Sequence, residues 1–372
     1  MRVLITDLLF PNRFSSWRNN SILSFMDNFE TSILVKNIKN YAGLDFSVDW
    51  ESREFKDQLD GYNILIFDPK FNYLNKHNTK LDGTAYNAKS NYSYLISKDK
   101  HFNINNYDHY YHIFLNSFEY FNNSFDISNK KQSIHLYPGG GYNPGQVINV
   151  SKEVNIISTF PVTTRSLSAQ GFSRVIECLT SVQYRNESVF PPKPELNPAP
   201  REINCVYASL GKCREKGEKT FRKVVLLYKM LHPTDKVNFL SIGKCGRIPF
   251  VRNLQAMSWI ELEKFYGDEI DVYLNTATDA ASNGWPLGLE AMKTGCVLLT
   301  TDVDGVSGFY RSSDYGISIC RDSKDFIREI RSLYLNRNKL KIFSRLNQKF
   351  AEDFASFEKQ NKLIFESIQS DN

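Results

Sequence analysis

The sequence is poor in the features that would assign it at a glance. The first 177 residues contain no cysteine, and the six present are Cys178, Cys205, Cys213, Cys245, Cys296 and Cys320. Their spacing is irregular, with no C-x-x-C pair, which excludes a disulfide scaffold and a structural zinc site. Buried, reduced thiols in a reducing compartment are the expectation. No apolar run approaches the roughly 20 residues that a membrane span needs. The opening MRVLITDLLF is too short an apolar run for a signal peptide and reads as a first strand. Charge of either sign is nearly balanced, 46 Lys and Arg against 41 Asp and Glu, a net +5. That lacks the dense basic face that nucleic acid requires. The reading is a cytoplasmic protein, with room for peripheral contact at the inner face of a membrane.

What is present is enough for two domains: 372 residues, 41% hydrophobic, 14% aromatic and 23% charged. This is globular composition with material for a large core. Short apolar runs at Val3–Ile5, Ile33–Val35, Ile64–Phe67, Ile134–Leu136 and Val154–Ile157 predict strands in the first half. Runs at Cys205–Tyr207, Val237–Leu240, Val272–Leu274 and Val297–Leu299 predict them in the second. They do not alternate with polar residues, as expected of strands buried on both faces in parallel sheets. Helices are predicted over 16–28, 108–121, 218–231, 258–267 and 323–335. Strand and helix alternate twice over, which predicts an α/β protein with two parallel sheets.

Five of the 13 prolines fall between Pro191 and Pro200, a stiff stretch suited to a linker. The expected organisation is an N-terminal domain over 1–185, a linker over 186–202, a second domain over 203–350 and a C-terminal helix over 351–372. Phe357, Ile364, Phe365 and Ile368 give that helix an apolar stripe, by which it can pack back on the N-terminal domain.

Three stretches carry candidate chemistry. In "SNGWPLGLEAMKTGCVLLTTD" (282–302), a polar loop leads to Gly284, which permits a tight turn, and Pro286, which is preset for a first helical turn. Gly295 is placed to end that helix. Backbone N–H groups near Leu287 and Gly288 would face the space beyond the preceding strand, where open α/β sheets bind ligands and where a helix start suits phosphate. Glu290 lies one turn further in. In "SLGKCREKGEKTF" (209–221) a second Gly-flanked turn joins strand to helix. From Arg201 to Lys223 there are seven basic residues against three acids, nearly the whole net charge. Such a run is also what a solvated helix face looks like. In "IHLYPGGGYNPG" (134–145), Gly140 and Gly141 follow a strand and permit close approach to a ligand.

The stretch "NGWPLGLEAMKTGCVLLTTDVDG" resembles the signature of family 4 retaining glycosyltransferases, whose GT-B fold sets two Rossmann-like domains with parallel sheets across a cleft. The resemblance implies that Glu290 holds the ribose of a nucleoside-diphosphate sugar. It puts Asn283 where the family has a glutamate for the donor sugar, with one residue fewer before Glu290. Gly284, Trp285, Leu287 and Gly288 would line the donor site. "SLGKCREKGEKTF" resembles the family's diphosphate-binding segment, with Lys216–Gly217 a direct match. Lys212, after Gly211, takes the place of its arginine, and Arg214 is a rival. Gly243 and Gly246 fall where the family has a turn near the base. Asp302-Val-Asp304 looks like an Asp-x-Asp metal motif but trails a strand, and the family needs no metal. The implied activity is retaining, metal-independent glycosyl transfer with no cofactor, from a nucleotide-sugar donor to a glycan or lipid-linked glycan, in surface polysaccharide or glycoconjugate synthesis. Asn283 keeps open a glycan-binding or partner subunit without turnover, and a nucleotide-sugar epimerase, which shares the two-domain fold, is a further alternative. A paired-carboxylate hydrolase ranks lower, because only one acid sits convincingly in the site.

Overall fold

The computed structural model describes residues 2–7, 30–35, 63–67, 94–95, 104–178 apart from 125, 137–141, 143–144 and 160, then 202–209, 217–278 apart from 244, 256 and 258, 285–303, and 312–369 apart from 356. The chain divides into two compact units, Met1–Thr180 with Phe357–Asn372, and Ser181–Ser356. Among the described residues no helix is long and apolar enough to cross a membrane.

In the first unit the strands are β1 (Arg2–Asp7), β2 (Glu30–Val35), β3 (Asn63–Phe67), β4 (Tyr94–Leu95), β5 (His109–Ile113), β6 (Lys131–Leu136), β7 (Asn155–Ser158) and β8 (Val175–Glu177). Their order across the sheet is β4-β3-β2-β1-β5-β6-β7-β8. From β2 to β8 every pairing is parallel. At the other edge β3 runs antiparallel to both β2 and β4, a common termination of an otherwise parallel sheet. Helix α1 (Leu115–Ser124) follows β5, and α2 (Pro161–Ala169) follows β7. The core forms where Leu115, Ile134, Leu136, Ile156 and Leu167 meet. The C-terminal helix, Phe357–Gln369, belongs to this unit, and Asn155 Nδ2 on β7 donates to the Ser367 carbonyl at 3.0 Å.

Strand β5 departs from expectation, since the sequence predicts one helix over 108–121. The segment HYYHI is fully buried and extended, and the helix starts only after Phe114, which takes a positive φ of 73°. The histidines are tolerated inside because each ring has at least one nitrogen hydrogen-bonded, and His112 has both. His109 Nε2 lies 2.8 Å from Ser133 Oγ, and Tyr111 OH lies 2.7 Å from His135 Nδ1. His112 Nε2 donates to Gln132 Oε1 at 2.8 Å, which leaves Nδ1 to accept from the Thr6 hydroxyl at 2.7 Å. Asn122 Nδ2 donates to the same Gln132 oxygen at 2.9 Å, tying α1 to the row. Burial holds the imidazoles neutral: it lowers His109 to about 3, with help from His112 and Lys131, and His112 and His135 to about 4 and about 3.

In the second unit the elements are β9 (Ile203–Ser209), α3 (Glu218–Leu231), β10 (Val237–Gly243), β11 (Val251–Leu254), α4 (Trp259–Glu269), β12 (Val272–Asn275), α5 (Trp285–Lys293), β13 (Val297–Thr300), β14 (Ser318–Ile319), α6 (Ser323–Leu335) and α7 (Arg337–Phe354). The sheet order is β11-β10-β9-β12-β13-β14, all parallel. Counted within the unit this is 3-2-1-4-5-6, the Rossmann order. One face is sealed by aromatics: Tyr207 stacks on Phe221 with ring centres 4.7 Å apart, and Tyr228 meets Phe239 edge-on. α7, which the apolar pattern did not predict, runs past residue 350 to Phe354. It is sewn in by buried Asn347, whose Oδ1 accepts from Leu298 N and whose Nδ2 donates to Tyr315 O, both at 2.8 Å. The described cysteines are free thiols, all buried except the half-buried Cys245, and Cys213 lies outside the described residues. Burial pushes the Cys178 thiol up to about 12.

Candidate functional site

In the second unit the chain order reverses between β9 and β12. This switch point, at the carboxyl ends of those strands, is where an open α/β sheet leaves room for a ligand. Three loops meet there. Gly217, after β9, has a φ of 80° and caps α3 without a side chain. A Cβ on it would overlap the carbonyl of Thr276, which follows β12. Thr276 Oγ1 donates to the Gly217 carbonyl at 3.0 Å, and Phe221 N donates to the same oxygen at 2.9 Å. Glycine is therefore required at 217 both by dihedral angle and by space.

The loop after β10 joins through Glu218, in the first turn of α3. Its Oε1 accepts from Gly246 N at 3.1 Å and lies 3.9 Å from Arg222 Nη2. Gly243 closes β10 with a φ of 92°, and its carbonyl accepts from Cys245 N at 3.1 Å. At the end of β12, Thr301 Oγ1 donates to Ala277 O at 2.6 Å and Asn275 Nδ2 to Thr300 Oγ1 at 3.0 Å. Short buried hydroxyls and amides thus fix the ends of β12 and β13 before the chain enters the next loop.

α5 opens with Trp285, Pro286, Leu287 and Gly288. N–H groups at a helix start have no acceptor within the helix, and proline at the second position removes one of them. Gly288 is buried with its back to the sheet; a Cβ there would sit 3.5 Å from Leu298 Cδ1 and 4.0 Å from the Tyr273 ring. Leu287 is half-buried, and Leu289, Ala291 and Met292 are buried. Gly295, with φ 88°, ends the turn that follows: its N–H donates to Met292 O at 2.9 Å and Cys296 N to Ala291 O at 3.0 Å. That is the Schellman arrangement, as the sequence predicts for Gly295.

Glu290 is half-buried rather than a solvated helix-face residue. Tyr266 and Tyr273 behind it are fully buried and remain phenols. Burial raises both well above the ordinary tyrosine value; Tyr273 adds to the rise at Tyr266, Tyr207 to that at Tyr273, and the Glu290 charge to both.

Of the residues singled out from sequence, Gly243, Leu287, Gly288 and Glu290 are described, along with the backbone of Trp285. Gly243 falls on the loop that Glu218 ties to α3, and the other four lie on α5. Gly140, Gly141, Gly211, Lys212, Arg214, Lys216, Asn283 and Gly284 lie outside the described residues, as do Asp304 and the helix predicted over 16–28. In the first unit, α2 begins at Pro161 and contains Thr163 and Thr164, with Thr163 buried. Proline starts that helix itself, by its fixed φ. Sequence reasoning overlooked Thr276. No motif marks it, and only its contact with Gly217 shows what it does.

No protein-family profile matches the sequence, and no curated protein matches it. Solved structures do. HepE of Anabaena, in complex with UDP, superposes over 100% of both chains with a TM-score of 0.63 at 10% identity. Sucrose-phosphate synthase from Thermosynechococcus elongatus covers 100% of this chain and 98% of its own, with a TM-score of 0.61 at 12% identity. A variant of S. aureus TarM, in complex with Fondaparinux, alpha-GlcNAc-glycerol and UDP, matches 70% of this chain at 13% identity and a TM-score of 0.54; the match spans 55%, about half, of TarM. The fold of this chain is the GT-B fold, an α/β architecture of two Rossmann-like units.

Proposed function

We propose that this protein is a glycosyltransferase that moves a sugar from a nucleoside-diphosphate donor to a hydroxyl of a glycan or other acceptor, with retention at the anomeric carbon. The closure of Gly217 on Thr276 at the β9/β12 switch point carries this reading. Gly217 stands at the start of α3 and Thr276 directly after β12, so the entry to α3 and the strand that precedes α5 and Glu290 meet at one end of one sheet, which supports the reading. The structure of HepE in complex with UDP-glucose, which shares the fold at 11% identity, supports a nucleotide sugar as the donor class.

The barrier to transfer is mainly the departure of a charged diphosphate. On this reading Lys216 and Lys212, with Arg214 as a rival to the latter, neutralise the charge as it develops, together with the N–H groups at the start of α5. Glu290 accepts from the ribose hydroxyls, and Asn283 holds hydroxyls of the donor sugar with its amide. Positioning of the acceptor supplies much of the remainder. No protein nucleophile is required, because the leaving diphosphate takes the proton of the incoming hydroxyl. No metal is invoked. Synthesis of surface polysaccharide or glycoconjugate in the cytoplasm is the setting that fits such an activity.

A second reading is a glycan-binding subunit without turnover, favoured by Asn283 in place of a carboxylate. A panel of UDP-, GDP- and dTDP-sugars with and without glycan acceptors separates the two. Acceptor-dependent release of nucleotide supports transfer. Glycan binding with no turnover of any donor selects the subunit, and release of free sugar regardless of acceptor points to a hydrolase.

A further inference from the structure

At the opposite, amino-terminal end of the second unit's sheet lies a cavity of about 540 Å³. Its walls include Glu202, Asn204, Asn238, Phe250, Arg252 and Glu269. The register explains why these side chains share a face. Asn204 pairs with Asn238, Leu240 pairs with Arg252, and alternation along β10 places Asn238 and Leu240 on the same side.

Phe250 stands out at the rim. Ile248, Pro249, Phe250 and Val251 form a turn closed by Val251 N donating to Ile248 O at 3.2 Å. Pro249 occupies the second position and Phe250 the third, with a φ of 65°. That position of such a turn requires a positive φ and normally takes glycine or asparagine. This chain instead holds a bulky aromatic in a left-handed conformation and leaves it 65% exposed beside the cavity. Neither the turn nor the core explains a phenylalanine there. Strain of this kind in a bulky residue is concentrated at functional positions.

The polar groups around it define the ligand. Glu202 and Glu269 are balanced by Lys229 and Arg252, so the cavity favours neither anions nor cations. Asn238 Nδ2 donates to Glu202 Oε2 at 2.7 Å and to Asn204 Oδ1 at 3.0 Å, and Asn204 Nδ2 donates to the Glu269 backbone carbonyl at 2.8 Å. Both amides are thereby held in fixed orientation. The guanidinium of Arg252 and the carboxylate of Glu269 make no hydrogen bond or ion pair among the described residues. Oriented amides, one open donor fork, one open acceptor pair and an exposed aromatic face together match the vicinal hydroxyls and apolar C–H face of a pyranose ring. We propose that this cavity binds a neutral oligosaccharide, with Phe250 as the platform for one sugar ring, at a site separate from the carboxyl-end loops. The inference stands independently of glycosyl transfer.

The test uses the full chain and three probes: maltoheptaose, chitotetraose and an acidic heparin tetrasaccharide. Binding is read by calorimetry with saturating UDP present, on the wild type and on Phe250→Gly, Phe250→Asn and Arg252→Ala. At least one neutral probe is expected to bind, with Kd on the order of 1 mM. Phe250→Gly and Arg252→Ala should each weaken it by at least about 10-fold. Phe250→Gly and Phe250→Asn should melt at or above the wild-type temperature, because both residues accept positive φ. Lowered melting in both would make Phe250 a packing residue and overturn the proposal. So would neutral binding that survives Phe250→Gly, binding of the acidic probe alone, or binding of no probe.

Discussion

The hydroxyl of Thr276 donates to the carbonyl of Gly217 across 59 positions of sequence, and the Thr276 carbonyl fills the space a side chain on Gly217 would need. Two loops from adjacent strands are thereby locked face to face. The lock leaves no slack, since the glycine's left-handed φ sets the entry into α3.

Gly217→Ala should therefore damage both stability and the site. The added methyl meets backbone rather than a flexible side chain, so the β12 loop must move. A loss of about 3 kcal/mol in urea unfolding is expected, from overpacking together with a strained left-handed alanine. UDP binding, followed by titration, should be lost with it. An alanine variant that unfolds and binds like the wild type would show that the two loops are free to separate.

Lys216→Ala and Glu290→Ala act on chemistry instead. Each should lower the rate of transfer by about 100-fold while melting normally, the usual effect of removing one group that stabilises developing charge or positions a substrate. Near-native rates in both would put the donor site elsewhere.

Chelation separates the proposed scheme from a metal-assisted one. Transfer measured after exhaustive EDTA treatment should match the untreated enzyme. Restoration of a lost rate by Mn²⁺ or Mg²⁺ would count against cations supplied by lysine.

The histidine row of the first unit predicts acid sensitivity. His109, His112 and His135 titrate near 3 to 4 when folded, against an ordinary value of 6.5. Below pH 6.5 the unfolded chain takes up protons that the folded chain refuses, so stability is full above that value and falls towards pH 4. With all three groups engaged the slope reaches about 4 kcal/mol per pH unit. Melting of the full chain should drop steeply between pH 6 and about 5. A flat profile over that range would mean the rings gain protons without unfolding.

Asn347→Leu should cost about 3 kcal/mol in denaturant unfolding, because it strands the Leu298 N–H and the Tyr315 carbonyl in a dry interior. A neutral result would mean that water or a shifted α7 replaces the amide.

Much of the architecture could be read directly. Runs such as Ile156–Ile157 and Val297–Leu299 are apolar because both faces of a parallel strand are covered, and this makes them visible in any window. β5 was hidden for the opposite reason. HYYHI reads as half polar, and nothing local says that Gln132, Ser133 and Thr6 will satisfy its rings from distant strands. α7 was hidden by its charge, since only Leu340, Asn347, Phe350 and Ala351 are buried along 18 residues. At the candidate site, glycine, proline and lysine spacing suggested the chemistry of the α5 and α3 loops. It could not suggest Thr276, whose part depends on a meeting of loops that only tertiary structure creates.

The C-terminal helix has an architectural consequence. Because Phe357–Asn372 is grouped with Met1–Thr180, the backbone crosses between the two units twice, once on each side of the second. The second unit is thus an insertion, bounded at both ends by the first. A single protease nick near 180 leaves the first unit's C-terminal helix attached to the second, and an expression clone stopped at Ser356 would mutilate the unit whose sequence it seems to leave whole. Circular permutants opened near 180 should be the natural way to study each half alone.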